Sequence, residues 1–250
     1  MSLKAKMTRA FDHASHSYDA HATVQRQCAM HIAQLTQQTW QGPLKGHQSP
    51  TLLDVGTGTG FVPHRLRPHF PDALFILNDI SANMLKTAHT NLAAHNRLQC
   101  LEGDIETCDL PPVDIVTASL SLQWAQNLEH TLCRLFKTAQ LTVFATLLEG
   151  TFHSWRTTLK VHHLGASLKA YPSLKDVQQM IAQCQPTFCT QEVKRFLLPF
   201  ANPKEAVQHL QKTGTQTAEQ SAFLPQLMHF LRTNTAPVTL EYNVLFAAIA

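Results

Sequence analysis

TLLDVGTGTGF, residues 51–61, decides the fold. Leu52 and Leu53 run into Asp54, and glycine then fills every second position at Gly56, Gly58 and Gly60 before Phe61 opens an apolar and basic segment of helical character. A buried strand turning sharply into a helix has this pattern. Glycine has no Cβ, so the turn can take positive φ and admit a ligand close to the backbone, while the helix N-terminus offers unpaired N–H groups. The stretch is therefore expected to bind something.

Outward from the turn, strands alternate with helices. On the N-terminal side, Val24, Cys28, Ile32 and Leu35 recur at helical spacing over about 23–38, ahead of a Gly- and Pro-containing loop. A short helix is expected over Thr8–Ser15. On the C-terminal side a helix over about 62–68 leads to a strand, Ala73–Asn78, and then to a helix capped by Ser81 with Met84, Leu85, Ala88 and Leu92 on one face. Further strands are expected at Leu98–Glu102, Val113–Ala118 and Leu141–Leu147, with a helix over 128–136. Near-continuous apolar strands separated by helices indicate a parallel sheet covered on both faces, an α/β doubly wound fold. Residues 151–185 read as mostly helical, with Trp155, Leu159, Leu164 and Leu168 on one side and Ser173 as a cap, and are expected to form a lid after strand five. Residues Phe188–Phe200 and Val238–Ala247 read as strands completing a mostly parallel, seven-stranded sheet as an antiparallel edge. Asn202-Pro203-Lys204-Glu205 between them starts a helix that ends at Gly214, with another over Ser221–Arg232. One domain spans 1–250: an N-terminal arm and helix (1–40), a core (50–148), the lid (151–185) and completing strands and helices (186–250).

Composition narrows the function classes. Of 250 residues 44% are hydrophobic and 15% charged, and 20 Lys plus Arg against 17 Asp plus Glu leave a formal net charge of +3, which demands no nucleic-acid partner. The 6 cysteines, at 28, 100, 108, 133, 184 and 189, contain no C-x-x-C pair and suit a reducing compartment. The 15 histidines show no ligand spacing with a nearby carboxylate, so no metal site is expected. The basic N-terminus has no apolar segment behind it and no 18-residue apolar run occurs, so a cytoplasmic protein without membrane contact is expected.

Three acids, Asp54, Asp79 and Asp104, end successive strands about 25 residues apart, where ligands of open α/β sheets bind. A carboxylate at the end of strand two can accept both ribose hydroxyls of an adenine nucleoside, which suits Asp79. Asp104 can accept an adenine amino group with Ile105 against the ring, and Ile80 and Met84 can wall the other side. Asp79 also suits capping the helix at Ser81, and Asp104 an unaided turn. A dinucleotide fingerprint needs a third glycine where Phe61 stands. An acid ahead of a G-x-G-x-G turn instead favours a ligand without pyrophosphate but with a positive amino group, the shape of S-adenosylmethionine.

The D-x-G-x-G-x-G turn with Asp79 and Asp104 resembles the class I S-adenosylmethionine-dependent methyltransferases over about residues 50–148. Narrower features are similar to the BioC type malonyl-acyl-carrier-protein O-methyltransferases of biotin synthesis. These are Phe11 with Ser17-Tyr18-Asp19 and Ala22-Thr23-Val24-Gln25, Asp79-Ile80-Ser81, Gly103-Asp104-Ile105-Glu106, Leu122-Gln123-Trp124, Ala145-Thr146-Leu147 with Gly150-Thr151-Phe152, and Leu210-x-Lys212-Thr213-Gly214. The chain departs from that pattern at Lys137-Thr138-Ala139-Gln140 and at Ser154-Trp155. The resemblance implies methyl transfer from S-adenosylmethionine to the free carboxylate of a malonyl thioester on acyl-carrier protein or coenzyme A. Tyr18 and Gln123 are then expected as neutral catalytic donors, Gln25 beside the cofactor, and Trp124 and Arg156 at the acceptor. Lys194, Arg195, Lys204 and Lys212 are candidates to receive an acidic carrier, although a solvated face is the default reading for such charges and the more frequent one for Arg156. Another small carboxylate or hydroxyl acceptor, or a non-catalytic scaffold of the same fold, are the alternatives.

Overall fold

The computed structural model describes residues 4, 8, 9, 11, 12, 18–164, 169–214 and 224–250. Residues 10 and 13–15 of the first expected helix, Ser17, Leu168 and residues 221–223 of the last expected helix lie outside them.

Successive strand residues point to opposite sides of a sheet, and both sides of β1 (Thr51–Val55) are buried: Leu52 and Leu53 are 1% and 0% exposed and belong to separate cores. Beside β1 lie β2 (Leu74–Asp79) and β4 (Val113–Ser119), both parallel to it, with Leu53 opposite Ile76 on one side and Val116 on the other. β3 (Leu98–Glu102) pairs with β2, and β5 (Ala139–Leu147) with β4, again in parallel. β7 (Val238–Ile249) is antiparallel to β5, and β6 (Cys189–Phe200) is antiparallel to β7. The order is β3-β2-β1-β4-β5-β7-β6, the expected doubly wound sheet with an antiparallel edge.

The helices divide between the two faces. Preceding β1 are the short α1 (Tyr18–His21) and α2 (Thr23–Gln41); α3 (Phe61–Leu66) and α4 (Ala82–Asn91) follow β1 and β2. Val24 and Ile32 of α2, Val62 and Leu66 of α3, and Leu85 and Ala88 of α4 share one core. The opposite core holds Leu132 and Leu135 of α5 (Leu128–Thr138). Ser81 caps α4 as expected, its Oγ accepting from Met84 N at 3.1 Å. Asn202 caps α8 (Pro203–Lys212) by accepting from Glu205 N at 3.0 Å, with Pro203 in the first turn. The Glu205 carboxylate reaches back over the cap, accepting from Ala201 N at 3.2 Å and from Asn202 Nδ2 at 3.1 Å.

The expected lid over 151–185 is not one flap. Its first helix, α6 (His153–Val161), buries Trp155 and Leu159 in the core of α2, together with α8 and α9 (Leu224–Thr233). Its second, α7 (Leu174–Gln183), buries Val177 and Ile181 in the other core, beside α5. The reason is amphipathicity: each helix carries an apolar stripe that needs covering, and the sheet offers a face to each. Between them, Arg156 Nη2 donates to Lys169 O, and Lys169 Nζ donates to Gln123 O.

Candidate active site

The β1–α3 turn sits at the carboxyl end of the parallel strands, and its three glycines have positive φ, of 60°, 55° and 89° for Gly56, Gly58 and Gly60. Each has a different neighbour. A Cβ on Gly56 would fall 2.4 Å from Ser121 Cβ, and one on Gly60 would meet Leu92, the C-cap of α4, at 3.2 Å. A Cβ on Gly58 would meet nothing within 4 Å, because Gly58 faces an open cleft.

Eleven of the fourteen residues expected at the site line that cleft: Tyr18, Gln25, Asp54, Gly56, Gly58, Asp79, Ile80, Met84, Asp104, Ile105 and Trp124. Asp54 is 3% exposed and accepts from Thr117 Oγ1 at 2.6 Å. Burial pushes its carboxyl up to about 7 against the pull of that hydroxyl, with the nearby Asp79 charge adding to the rise. Asp79 accepts from Gly58 N and Ser81 N, each at 2.9 Å, and thus ties the glycine turn to α4. Burial raises it to about 6, held down by those backbone donors. Asp104 accepts from Glu106 N at 3.0 Å, and Lys4 Nζ bridges its Oδ2 and Glu106 Oε2. Gln25 Oε1 is buried and accepts no hydrogen bond from the described residues.

Tyr18 stacks on Phe61, ring centroids 6.3 Å apart, and the Arg26 guanidinium lies over the Phe61 ring, 6.0 Å from its centroid. Burial, then the charges of Asp79 and Asp19, raises its phenol above the ordinary value, so it remains a neutral donor. Phe11 meets Trp124 edge to face at 5.8 Å, which sets an apolar rim beside Tyr18 and Leu120.

Three expected site residues do not line the cleft. Gly60 is spent on helix packing, as its neighbours Leu92 and Ala88 show. Gln123 is 8% exposed, and its Nε2 turns back to Leu120 O at 2.5 Å because the 3-10 turn Leu122–Trp124 points the side chain into the protein. Arg156 is held by Thr151 O at 3.4 Å and by Lys169 O, fastening the segment ahead of α7. Of the four cations suggested for a carrier, Lys194 and Arg195 are neighbours on β6 and so point to opposite faces, and Lys194 lies 3.4 Å from Glu192.

Sequence reasoning missed Thr59, whose buried Oγ1 has no partner among the described residues, and the Ser119-Leu120-Ser121 turn. Leu120 has φ of 51°, a left-handed conformation with no sequence signal, and Ser121 Oγ donates to Val55 O at 2.7 Å. Alternating small and polar residues in SLSLQW were the available hint. Lys4 lay beyond the motifs that drew attention to the arm.

A methyltransferase-domain family profile matches residues 52–140, from β1 to the start of β5. Along the whole chain the protein is 25% identical to a malonyl-[acyl-carrier protein] O-methyltransferase of Neorickettsia risticii, covering 96% of this chain and 94% of that one. A Magnetococcus marinus protein of the same name is 27% identical over 80% of this chain and 77% of its own. Residues 52–140 are a methyltransferase domain, in a chain with the class I methyltransferase fold. Among solved structures, the plantazolicin methyltransferase BamL shares the fold at TM-score 0.57 and 16% identity, covering 99% of this methyltransferase and 96% of its own chain. Magnesium protoporphyrin IX methyltransferase from Synechocystis does so at TM-score 0.57 and 14% identity, over 90% and 82%. In this methyltransferase, Asp54, Asp79 and Asp104 all fall inside the family-matched segment. None of its described helices is long and apolar enough to cross a membrane.

Proposed function

We propose that the protein transfers a methyl group from S-adenosylmethionine to the free carboxylate of a malonyl thioester, carried on acyl-carrier protein or coenzyme A, as a step toward biotin. One observation carries the reading: the acids ending β1, β2 and β3 line one cleft around the open side of Gly58, next to a wall of uncharged Tyr18, Leu120 and Trp124. The solved structure of the Synechocystis enzyme holds S-adenosylhomocysteine, and the relatives named above are malonyl-carrier methyltransferases, which supports both halves of the proposal.

The residues fit the cofactor. Asp79 has lone pairs left for two ribose hydroxyls after serving Gly58 N and Ser81 N. Ile80, Met84 and Ile105 supply apolar surface for an adenine ring, and Asp104 offers an acceptor to its amino group once Lys4 shares it. Asp54 would offer negative charge to the ligand's ammonium, and Gln25 Oε1 and Thr59 Oγ1 are buried polar atoms with no partner among the described residues. When bound, the cofactor supplies a methyl group already activated by its sulfonium.

The protein's own work is placement. A malonyl carboxylate has a pKa of roughly 3 to 4, is ionised at neutral pH and needs no general base. Tyr18, a neutral donor, can orient it without the tight ion pair that would stabilise its ground state, and the Phe11–Trp124 rim excludes water from the line of attack. Arg156 contributes at one remove, through Lys169 and the Gln123 carbonyl. The test is incubation with methyl-labelled S-adenosylmethionine and either malonyl-carrier protein or malonyl-coenzyme A. A base-labile labelled methyl ester is expected; label on neither malonyl thioester would refute the acceptor.

A further inference from the structure

Two cysteines separated by 51 positions meet on the side of the sheet covered by α5 and α7. Cys133, on α5, and Cys184, at the C-terminal cap of α7, have sulfurs 2.8 Å apart. Both are half-buried, so a small reagent can reach them, while Cys28 is fully buried and Cys100 and Cys189 are exposed elsewhere. The helices that carry them are fixed in position by Leu132, Leu135, Val177 and Ile181 in one shared core, so the approach is imposed by packing rather than by a loop. A disulfide needs about 2.05 Å between sulfurs, a closure of about 0.8 Å that side-chain rotation can supply.

We propose that Cys133 and Cys184 form a thiol–disulfide site, oxidised by a small disulfide such as oxidised glutathione. The thiolate of one cysteine attacks a glutathione sulfur, forming a mixed disulfide and releasing one glutathione thiolate. The other cysteine's thiolate then attacks the protein sulfur of that mixed disulfide, forming the Cys133–Cys184 bond and releasing the second. Two protons pass from the cysteine thiols to the two glutathione thiolates, and two electrons from the cysteine sulfurs to glutathione. The bond closes a ring containing β5, α6, the Lys169–Tyr171 segment and α7, and so ties the two helices of that face together. None of the cleft-lining residues is in the ring, so cofactor binding is unaffected.

Titration of the intact protein with oxidised glutathione, followed by peptide mass spectrometry without reductant, tests it. A linked Cys133 and Cys184 peptide pair, reversed by dithiothreitol, is expected, with a rise in Tm on the order of 5 °C or more and unchanged S-adenosylmethionine affinity. Cys133→Ser should abolish both the link and the rise while leaving Cys184 to take one glutathione. Separate glutathione adducts on Cys133 and Cys184 in the unsubstituted protein, or a link from either to another cysteine, would overturn the assignment.

Discussion

At the scale of the residue, Asp54 shows how a binding site costs stability. A carboxyl raised from 3.8 to about 7 holds a proton in the folded state that the unfolded chain has already released across that interval. The unfolded state binds fewer protons there, so stability falls as pH climbs from about 4 to 7, and the full penalty stands above 7. Asp54→Asn keeps an oxygen to accept from Thr117 but carries no charge. It is expected to raise the Tm of the ligand-free protein at pH 8 and leave it nearly unchanged below pH 4, while weakening S-adenosylmethionine binding; calorimetry at both pH values reads this directly. A Tm difference independent of pH would mean that Asp54 ionises normally. The three acids were legible because strand ends and spacing locate them. Gln123 and Arg156 were not, since a sequence places a residue on a turn or helix without saying which way its side chain turns once local carbonyls, here Leu120 O and Thr151 O, compete for its donors.

At the scale of the element, the β1–α3 turn divides its work among its glycines. Gly56 makes room for Ser121, Gly58 leaves open space toward the cleft, and Gly60 makes room for the approach of α4. Alanine at either Gly58 or Gly60 pays the left-handed backbone penalty of about 1–2 kcal/mol. The two should separate in binding: Gly58→Ala is expected to lower cofactor affinity at least tenfold, whereas Gly60→Ala leaves it within about twofold. Urea denaturation and titration calorimetry on both variants check this, and equal affinity losses would show that the turn acts as one unit. The existence and type of the strands and helices were legible from periodicity and caps; Ser81 and Asn202 stand where their chemistry predicts. The split of α6 and α7 between faces was not, because an apolar stripe announces that a helix has a partner without naming the partner.

At the scale of the molecule, that split turns a suspected flap into part of the framework. Trp155 is 2% exposed, 6.4 Å from Phe230 of α9 between ring centroids, and sits in the same core as α2 and the central strands. Trp155→Ala should therefore cost about 3–5 kcal/mol, measured by urea unfolding, as a large buried side chain does. A loss below about 1 kcal/mol would restore a mobile cover. The strand order carries a further consequence. β7 lies between β5 and β6, so the strand made last occupies an interior place that the strand made before it cannot bypass. On the ribosome, β1 to β5 can pair with the acids already at their ends, but β6 has no neighbour until β7 enters between it and β5. The ligand-binding half of the sheet can therefore assemble while the chain is still being made, and the antiparallel edge only after β7 has emerged.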